Sequence, residues 1–328
     1  MESFNFSKIF IYFKNAPLRI KEIGLGRYIA KILILFKMNY KNRNKIIRYI
    51  KILIEPVKYY KSLNTKFYTD NLNNLSICNE SKSLFLDKSK LLGTKELLDH
   101  CRNIYLEEKN KIQKSYVYPY YMLLDLAKNP LNLSERDVKK IKPILKFASQ
   151  NLLIGLVAKH IKQVPVIAGI TLNYTKAMEK SQKYISAQQY HRDLNDKSLL
   201  HLVIPIYDIK EDSGPFTYVD IATSKKIIQA INGKEARIND SLINKYAKND
   251  NIIKLTGEAG SAWFMSPYYS IHCGARVKKG FRLLLIITYA APNLAVECVG
   301  FLHRKSYQKK LMDSNSSHAE KNLLKVYS

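Results

Sequence analysis

From His191 to Val219 the chain reads HRDLNDKSLLHLVIPIYDIKEDSGPFTYV, a stretch that combines a strand pattern with a candidate site. Two runs rich in β-branched and aromatic residues, 199–209 and 216–221, are separated by the turn-forming sequence Asp-Ser-Gly-Pro at 212–215. Runs of this length that are bounded by Asp, Ser, Gly and Pro are typical of strands joined by turns. The stretch therefore predicts two neighbouring β-strands.

Similar runs lie on both sides of this stretch, at 164–174, 261–265 and 281–289, and one helix-like insert at 224–248 interrupts them. Because strands and helices do not alternate regularly, the pattern favours an antiparallel barrel or a double-sheet jelly roll over a parallel sheet. Apolar residues before the strands recur at helical spacing. We predict a basic helical extension and polar connector at 1–90, a main domain at 91–300 with flanking helices, and a basic tail at 301–328.

The bulk properties describe a globular protein. The chain has 328 residues, and an apolar fraction of 46% allows a large core. Its four cysteines lack CxxC spacing, which favours a reducing cytoplasmic location over a disulfide framework or zinc knuckle. No window reaches about 18 uninterrupted apolar residues, so we expect no membrane span. The first residues lack the basic region and cleavage site of a secretory signal.

The net charge of +27 is concentrated near the start of the sequence, where residues 1–61 contain fourteen Lys or Arg and three acids. Such a charge can attract nucleic acid or an anionic membrane. The chain is also rich in Lys, Ile, Asn and Tyr throughout, a bias that an AT-rich genome produces without any binding function. We therefore favour helices packed on the main domain with solvated lysines, and disfavour nucleic acid. Peripheral contact with an anionic membrane stays open as the alternative.

Three side chains form a candidate metal site. Residues i and i+2 of a strand face the same side, so His191 and Asp193 point together if their segment is extended. His272, which lies between a strand-like run and Gly274, is placed to supply a third ligand. Two histidines and one carboxylate leave three positions of an octahedral Fe(II) open on one face, which indicates oxygen chemistry. Alternatively, His-x-Asp is a chance surface pair and His272 is structural.

Arg282 lies in the sequence FRLLLIITY, which is apolar on both faces and therefore predicts a doubly buried strand. Arginine keeps its charge when buried, so it needs an anion, and a carboxylate offers the best bidentate geometry. An internal Asp or Glu, or a position at the wet end of the strand, would also satisfy it. Because Arg282 lies ten residues beyond His272, we favour the distal carboxylate of a dicarboxylate cosubstrate as its partner. His201 alternates with leucines and is predicted to face away from the core, without a role.

Two segments resemble the phytanoyl-CoA dioxygenase-like family of Fe(II)/2-oxoglutarate oxygenases: the stretch from His191 to Val219, and GEAGSAWFMSPYYSIHCGARVKKGFRLLLIITY from Gly257 to Tyr289. The resemblance covers roughly residues 165–292. It implies a double-stranded β-helix (a cupin-like jelly roll) in a mainly β, α+β protein. It also implies iron bound by the three candidate ligands, Arg282 on the C5 carboxylate of 2-oxoglutarate, and Asn173 or Tyr174 as a further cosubstrate contact. The sequence departs from the family at Met265-Ser266-Pro267, where an Asp-Thr pair is common, and at 219–222.

By this resemblance the chain consumes 2-oxoglutarate and O2 and hydroxylates a small molecule, lipid or glycan precursor. Asp193 favours hydroxylation, because related halogenating enzymes replace this carboxylate with a small residue. Two alternatives remain. One is a non-catalytic jelly roll that binds membrane or nucleic acid through its basic helices. The other is a barrel metalloenzyme that does not use 2-oxoglutarate.

Overall fold

The computed structural model describes residues 40–70, 72, 75–78, 81, 83–115, 121–124, 133–178, 183–194, 196–232, 237–293 and 305–324. Residues 1–39 of the predicted basic helical extension lie outside these residues. Within them the chain folds into two antiparallel sheets with helices around the first sheet. The strands are β1 Ser83–Leu86, β2 Tyr121–Leu124, β3 Val166–Lys176, β4 Tyr190–His191, β5 Leu200–Pro205, β6 Phe216–Val219, β7 Arg237–Ile238, β8 Ile252–Leu255, β9 Ala262–Met265, β10 His272–Cys273 and β11 Phe281–Ala290.

The strand order identifies the architecture. One sheet has the order β1-β9-β5-β11-β3-β2, and the other has the order β7-β4-β10-β6-β8. From β3 to β11 the chain passes back and forth between the two sheets, and every strand pair is antiparallel. This is the connectivity of a double-sheet jelly roll, or double-stranded β-helix. The predicted fold class is confirmed.

Ten helices surround the barrel in the described part of the chain. Pro56 separates the first two helices, because proline lacks the backbone N–H that a continuous helix needs, and it becomes the first residue of α2. The Ser-x-x-Asp sequence at 134–137 caps the start of α5: Ser134 accepts from the Asp137 backbone, and Asp137 accepts from the Ser134 backbone. The helices are α1 Tyr40–Ile54, α2 Pro56–Leu63, α3 Lys66–Thr69, α4 Thr94–Ser115, α5 Glu135–Ala148, α6 Asn151–Ile161, α7 Ile221–Ala230, α8 Asp240–Tyr246, α9 Lys305–Leu311 and α10 His318–Leu323.

The apolar core has one layer on each face of the first sheet and a further cluster between the second sheet and α7 and α8. The larger layer lies between the first sheet and the helices, and includes Leu202, Leu285 and Ile154. A smaller layer lies between the two sheets, and includes Val203 and Leu284. Since successive residues of a strand face opposite sides, even-numbered residues of β11 face the barrel interior and odd-numbered ones face the helices.

The sequence did not predict the shortest strands. The segment interpreted as a connector contains β1, which pairs with β9. The two-residue strands β4, β7 and β10 are too short to show a periodic pattern. The described part of the predicted tail forms α9 and α10, which bury Leu311 and Leu323 in the larger core layer.

No single helix among the described residues is long and apolar enough to cross a bilayer. One bent pair, α5 with α6 at 69°, passes the same test of length and composition when the two are taken together.

Candidate metal centre

Strand pairing brings the two candidate histidines face to face. His191 on β4 and His272 on β10 are direct partners across an antiparallel ladder, and their ring centroids are 4.3 Å apart. Each ring is oriented by its own backbone: Nδ1 of His191 lies 2.8 Å from the carbonyl oxygen of Gln189, and Nδ1 of His272 lies 3.1 Å from that of Ser270. A hydrogen on Nδ1 that is donated to these carbonyls leaves both Nε2 atoms as lone-pair donors for a metal.

Asp193 completes the donor set. Its Oδ1 lies 3.9 Å from Nε2 of His191 and 4.0 Å from Nε2 of His272, and the three ligand atoms all lie within 4.8 Å of one another. Its backbone N–H donates to the carbonyl of Pro267 at 3.0 Å, which ties it to the loop before β10. Three atoms that are 3.9 to 4.8 Å apart leave a point about 2.3–2.5 Å from each of them, close to the length of a metal–ligand bond.

The protonation states suit metal binding. Burial lowers the pKa of His272 to about 3, and the adjacent His191 acts in the same direction. Burial also lowers the pKa of His191. Burial alone would raise the pKa of Asp193, but a hydrogen bond from His201 and the surrounding imidazoles outweigh it and hold that pKa well below its usual range. At neutral pH the cluster therefore presents two neutral imidazoles and one carboxylate, the forms that bind a cation.

The structure places His201 on the face of β5 opposite the neighbouring leucines, as predicted, but the sequence did not show that this face lines the barrel interior beside Asp193. This side chain faces the barrel interior: its Nε2 lies 3.4 Å from Oδ2 of Asp193, and its Nδ1 lies 2.9 Å from Oγ1 of Thr288. The alternating leucines of β5 pack under the helices instead, because that face of the sheet covers the larger core layer. Because helices cover the outer face of this sheet, the leucines of β5 face the helices and the polar residue between them faces the barrel interior.

Arg282 lies in the same interior. It is buried near the start of β11, where Nη1 donates to the carbonyl of Gly214 at 2.7 Å and Nη2 contacts Oγ1 of Thr175 at 3.5 Å. Gly274, two residues after His272, leaves room for it: a Cβ added there would lie 3.4 Å from Nη1. The guanidinium on β11 therefore lies against the short segment that carries His272.

Asn173 and Tyr174 point in opposite directions, as adjacent residues of a strand must. Asn173 pairs with Leu284 and faces the interior, where Nδ2 donates to Oγ1 of Thr171 at 3.2 Å. Its Oδ1 is buried without a hydrogen-bond partner among the described residues. Tyr174 faces the helices, and its ring stacks on Tyr105 at 5.4 Å. The structure therefore brings Asn173 to the face that carries Arg282, but does not bring Tyr174 there.

Residues that flank the cluster hold its two strands together. Nε2 of Gln188 donates to the carbonyl of Ala275 at 2.8 Å, and Nε of Arg276 donates to the carbonyl of Gln188 at 2.6 Å. The guanidinium of Arg276 also forms a bidentate pair with Asp240 at 2.7 and 2.8 Å, and lies over the ring of Tyr190. These contacts give Gln188, Tyr190 and Arg276 a structural role beside the metal cluster.

Comparisons with known proteins found matches among solved structures only. No family model and no curated protein matches the sequence. EctD from S. alaskensis with bound Fe is 12% identical, over 66% of this chain and 75% of that chain, with a TM-score of 0.44. HygX from Streptomyces hygroscopicus with nickel and 2-oxoglutarate is 12% identical, over 65% and 84%, with a TM-score of 0.42. SnoK, a non-heme alpha ketoglutarate dependent carbocyclase from nogalamycin biosynthesis, is 12% identical, over 67% and 86%, with a TM-score of 0.41.

Proposed function

We propose that this protein is a non-haem Fe(II)- and 2-oxoglutarate-dependent dioxygenase that hydroxylates an unactivated C–H bond of a small molecule, lipid or glycan precursor. One observation carries the proposal: two imidazoles and one carboxylate converge at one end of a jelly-roll barrel whose interior also contains a buried arginine. In the described residues this is the only group of three or more His, Cys, Asp or Glu side chains that is close enough to hold a metal ion.

The donor set fits iron better than structural zinc. Structural zinc sites are closed by four protein ligands, whereas two histidines and one carboxylate leave an open face. His191, Asp193 and His272 would hold the metal through Nε2, one carboxylate oxygen and Nε2. When bound there, iron supplies the oxidising chemistry of 2-oxoglutarate oxygenases, in which the cosubstrate is decarboxylated and the substrate is hydroxylated.

The barrel interior also fits a dicarboxylate beside the metal. Arg282 offers a charged donor, and Gly274 leaves open the space next to it. Asn173 lies on the same face of the sheet as Arg282, two residue pairs further along the β3–β11 ladder, and its buried Oδ1 accepts no hydrogen bond from a described residue. We assign Arg282 to the distal carboxylate of 2-oxoglutarate, and Asn173 to a polar contact with the same molecule.

Asp193 decides the reaction within this class. A carboxylate in the donor set occupies the position that a halide takes in related halogenating enzymes, so it supports hydroxylation over halogenation. The cytoplasm is the compartment that we propose, because Fe(II) must stay reduced and the described cysteines Cys78, Cys101 and Cys273 form no disulfide.

An anaerobic titration tests the assignment. Fe(II) is added to the purified protein, followed by 2-oxoglutarate, while the weak visible charge-transfer band of the chelate is recorded. Admission of O2 should then produce succinate even without substrate. Arg282→Gln should raise the 2-oxoglutarate concentration that is needed to form the band, and it should leave metal binding intact. Arg136→Gln, a change on the exposed face of α5, is the control and should behave as the wild type.

The alternatives give different results. Metal binding without a band or succinate would indicate a barrel metalloenzyme that does not use 2-oxoglutarate. Failure to bind Fe(II), Co(II) or Mn(II) above background would favour the non-catalytic jelly roll.

A further inference from the structure

Large apolar side chains are exposed on the helices that precede the barrel. Of the fourteen large hydrophobic side chains that are exposed in the described structure, six lie between residues 49 and 67. Leu53 is 79% exposed and Phe67 is 72% exposed. Single exposed apolar residues are common, whereas apolar side chains that group into a patch mark interaction sites. The six, here called the α1–α3 surface, are Tyr49, Leu53, Val57, Tyr60, Leu63 and Phe67.

The same helices are strongly basic. Residues 40–70 contain eight Lys or Arg and two acids. Lys45, Tyr49 and Leu53 follow one another at spacings of four, so a lysine and two apolar side chains form one exposed stripe of α1. Lys61 and Lys66 are exposed beside Tyr60 and Phe67. Exposed apolar groups interspersed with lysines are the chemistry of a helix that lies in the interface of an anionic membrane.

The opposite sides of these helices are fixed to the barrel. The guanidinium of Arg48 pairs with buried Asp196, through Nε to Oδ2 at 3.0 Å and through Nη2 to Oδ1. The carbonyl of Ser62 accepts from the backbone of Val164 at 2.7 Å, and Tyr68 is part of the larger core layer. Asp196 follows the metal ligand Asp193 by three residues. The α1–α3 surface is therefore anchored to the loop that carries the candidate metal ligand.

We infer that the α1–α3 surface docks this protein on an anionic membrane, with the apolar side chains in the interface and the lysines among the lipid headgroups. A phosphate backbone would satisfy the lysines but not the aliphatic Leu53, Val57 and Leu63. A second copy of the chain would bring the same positive charge against itself. The inference does not depend on the proposed reaction.

Vesicle flotation of the full chain tests this surface. Vesicles of phosphatidylcholine alone are compared with vesicles that also contain phosphatidylglycerol, each at low and high salt. The paired change Leu53→Ser with Val57→Ser should weaken binding about tenfold or more, because two apolar contacts with the interface are lost. Lys61→Glu with Lys66→Glu should weaken it at least about fivefold for each lysine at low salt, and less at high salt.

The matched control is Leu92→Ser with Leu106→Ser, since these residues are 80% and 60% exposed but lie away from α1–α3. It should bind vesicles as the wild type does. Three outcomes would overturn the inference: no binding of the wild type to anionic vesicles, equal loss in the control pair, or a wild-type dimer in lipid-free solution that the Leu53/Val57 pair dissociates. Metal binding by the serine pair, measured in parallel, separates failure of this surface from failure of the metal site.

Discussion

Replacement of His201 by leucine tests whether the contact between this histidine and Asp193 orients the metal ligand. In the structure Oδ1 of Asp193 faces the two ligand histidines, while Oδ2 lies 3.4 Å from Nε2 of His201. The hydroxyl of Thr288 contacts the other ring nitrogen, which orients the imidazole toward the carboxylate. Loss of His201 should leave Asp193 free to rotate away from the metal position.

The magnitude follows from the geometry. A hydrogen bond to a charged group contributes about 1.5–3 kcal/mol, and loss of such a group beside a metal ligand lowers metal affinity about 10–100-fold. The distance of 3.4 Å is long, and the side chain of Asp193 is 32% exposed, so water can replace part of the contact. We therefore expect His201→Leu to weaken Fe(II) or Co(II) binding about tenfold, at the lower end of that range.

Anaerobic calorimetric titration of the metal-free protein with Co(II) or Fe(II) measures this change. The melting temperature of the metal-free variant reports whether the fold is intact. His201→Gln retains an N–H donor and should recover part of the affinity, which a purely structural role would not produce. Wild-type affinity in a folded His201→Leu variant would refute the reasoning.

Three further predictions follow from other contacts. Asp193→Ala removes the only carboxylate of the donor set, so Fe(II)-dependent succinate formation should fall to background in an end-point assay. Glu108→Gln should lower the free energy of unfolding in urea by about 1–2 kcal/mol at pH 7, because buried Lys140, 2.8 Å away, loses its charged partner. Burial acts to raise the pKa of Glu108, but hydrogen bonds from its lysine partners outweigh it and lower the pKa below 4.5, so this stabilisation is complete above pH 4.5 and is lost as the pH falls further. Gly274→Ala should raise the KM for 2-oxoglutarate several-fold, since the new Cβ lies 3.4 Å from Nη1 of Arg282 and would crowd the position that we propose for the cosubstrate carboxylate.

Each of these has a control. Succinate formation by folded Asp193→Ala at the wild-type rate would contradict the metal assignment. Glu107→Gln, on the more exposed neighbour of Glu108, should change the free energy of unfolding by less than about 0.5 kcal/mol. An equal loss of unfolding free energy in the two glutamate variants would show that the burial of Glu108 does not account for its contribution. Gly169→Ala, whose Cβ would make only an ordinary contact of 4.0 Å with Thr288, should leave the KM unchanged, and an unchanged KM in Gly274→Ala would show that this glycine has no part in the site.

Local sequence patterns predicted the longer elements well, and for a clear physical reason. Strands β3, β5, β6, β9 and β11 each bury side chains over several consecutive residues, so their apolar and β-branched composition is visible without a structure. The cap at Ser134 is equally local, because both of its hydrogen bonds join residues three positions apart. The short strands β4 and β10 carry no such pattern, although they present the two ligand histidines to each other.

The sequence by itself determined the donor types, the strand-rich second half and the basic character of the helices before it, since these are properties of residue identity and of spacing along the chain. Only the tertiary structure decided which donors meet. The register of β4 against β10 sets the two histidines opposite each other, and the helices that cover the first sheet turn His201 toward Asp193. The tertiary structure also decided that Arg48 of α1 holds buried Asp196 beside the loop that carries the candidate metal ligand Asp193. Such contacts join segments that are far apart along the chain. Their geometry depends on how whole sheets and helices pack, so no short stretch of sequence predicts it.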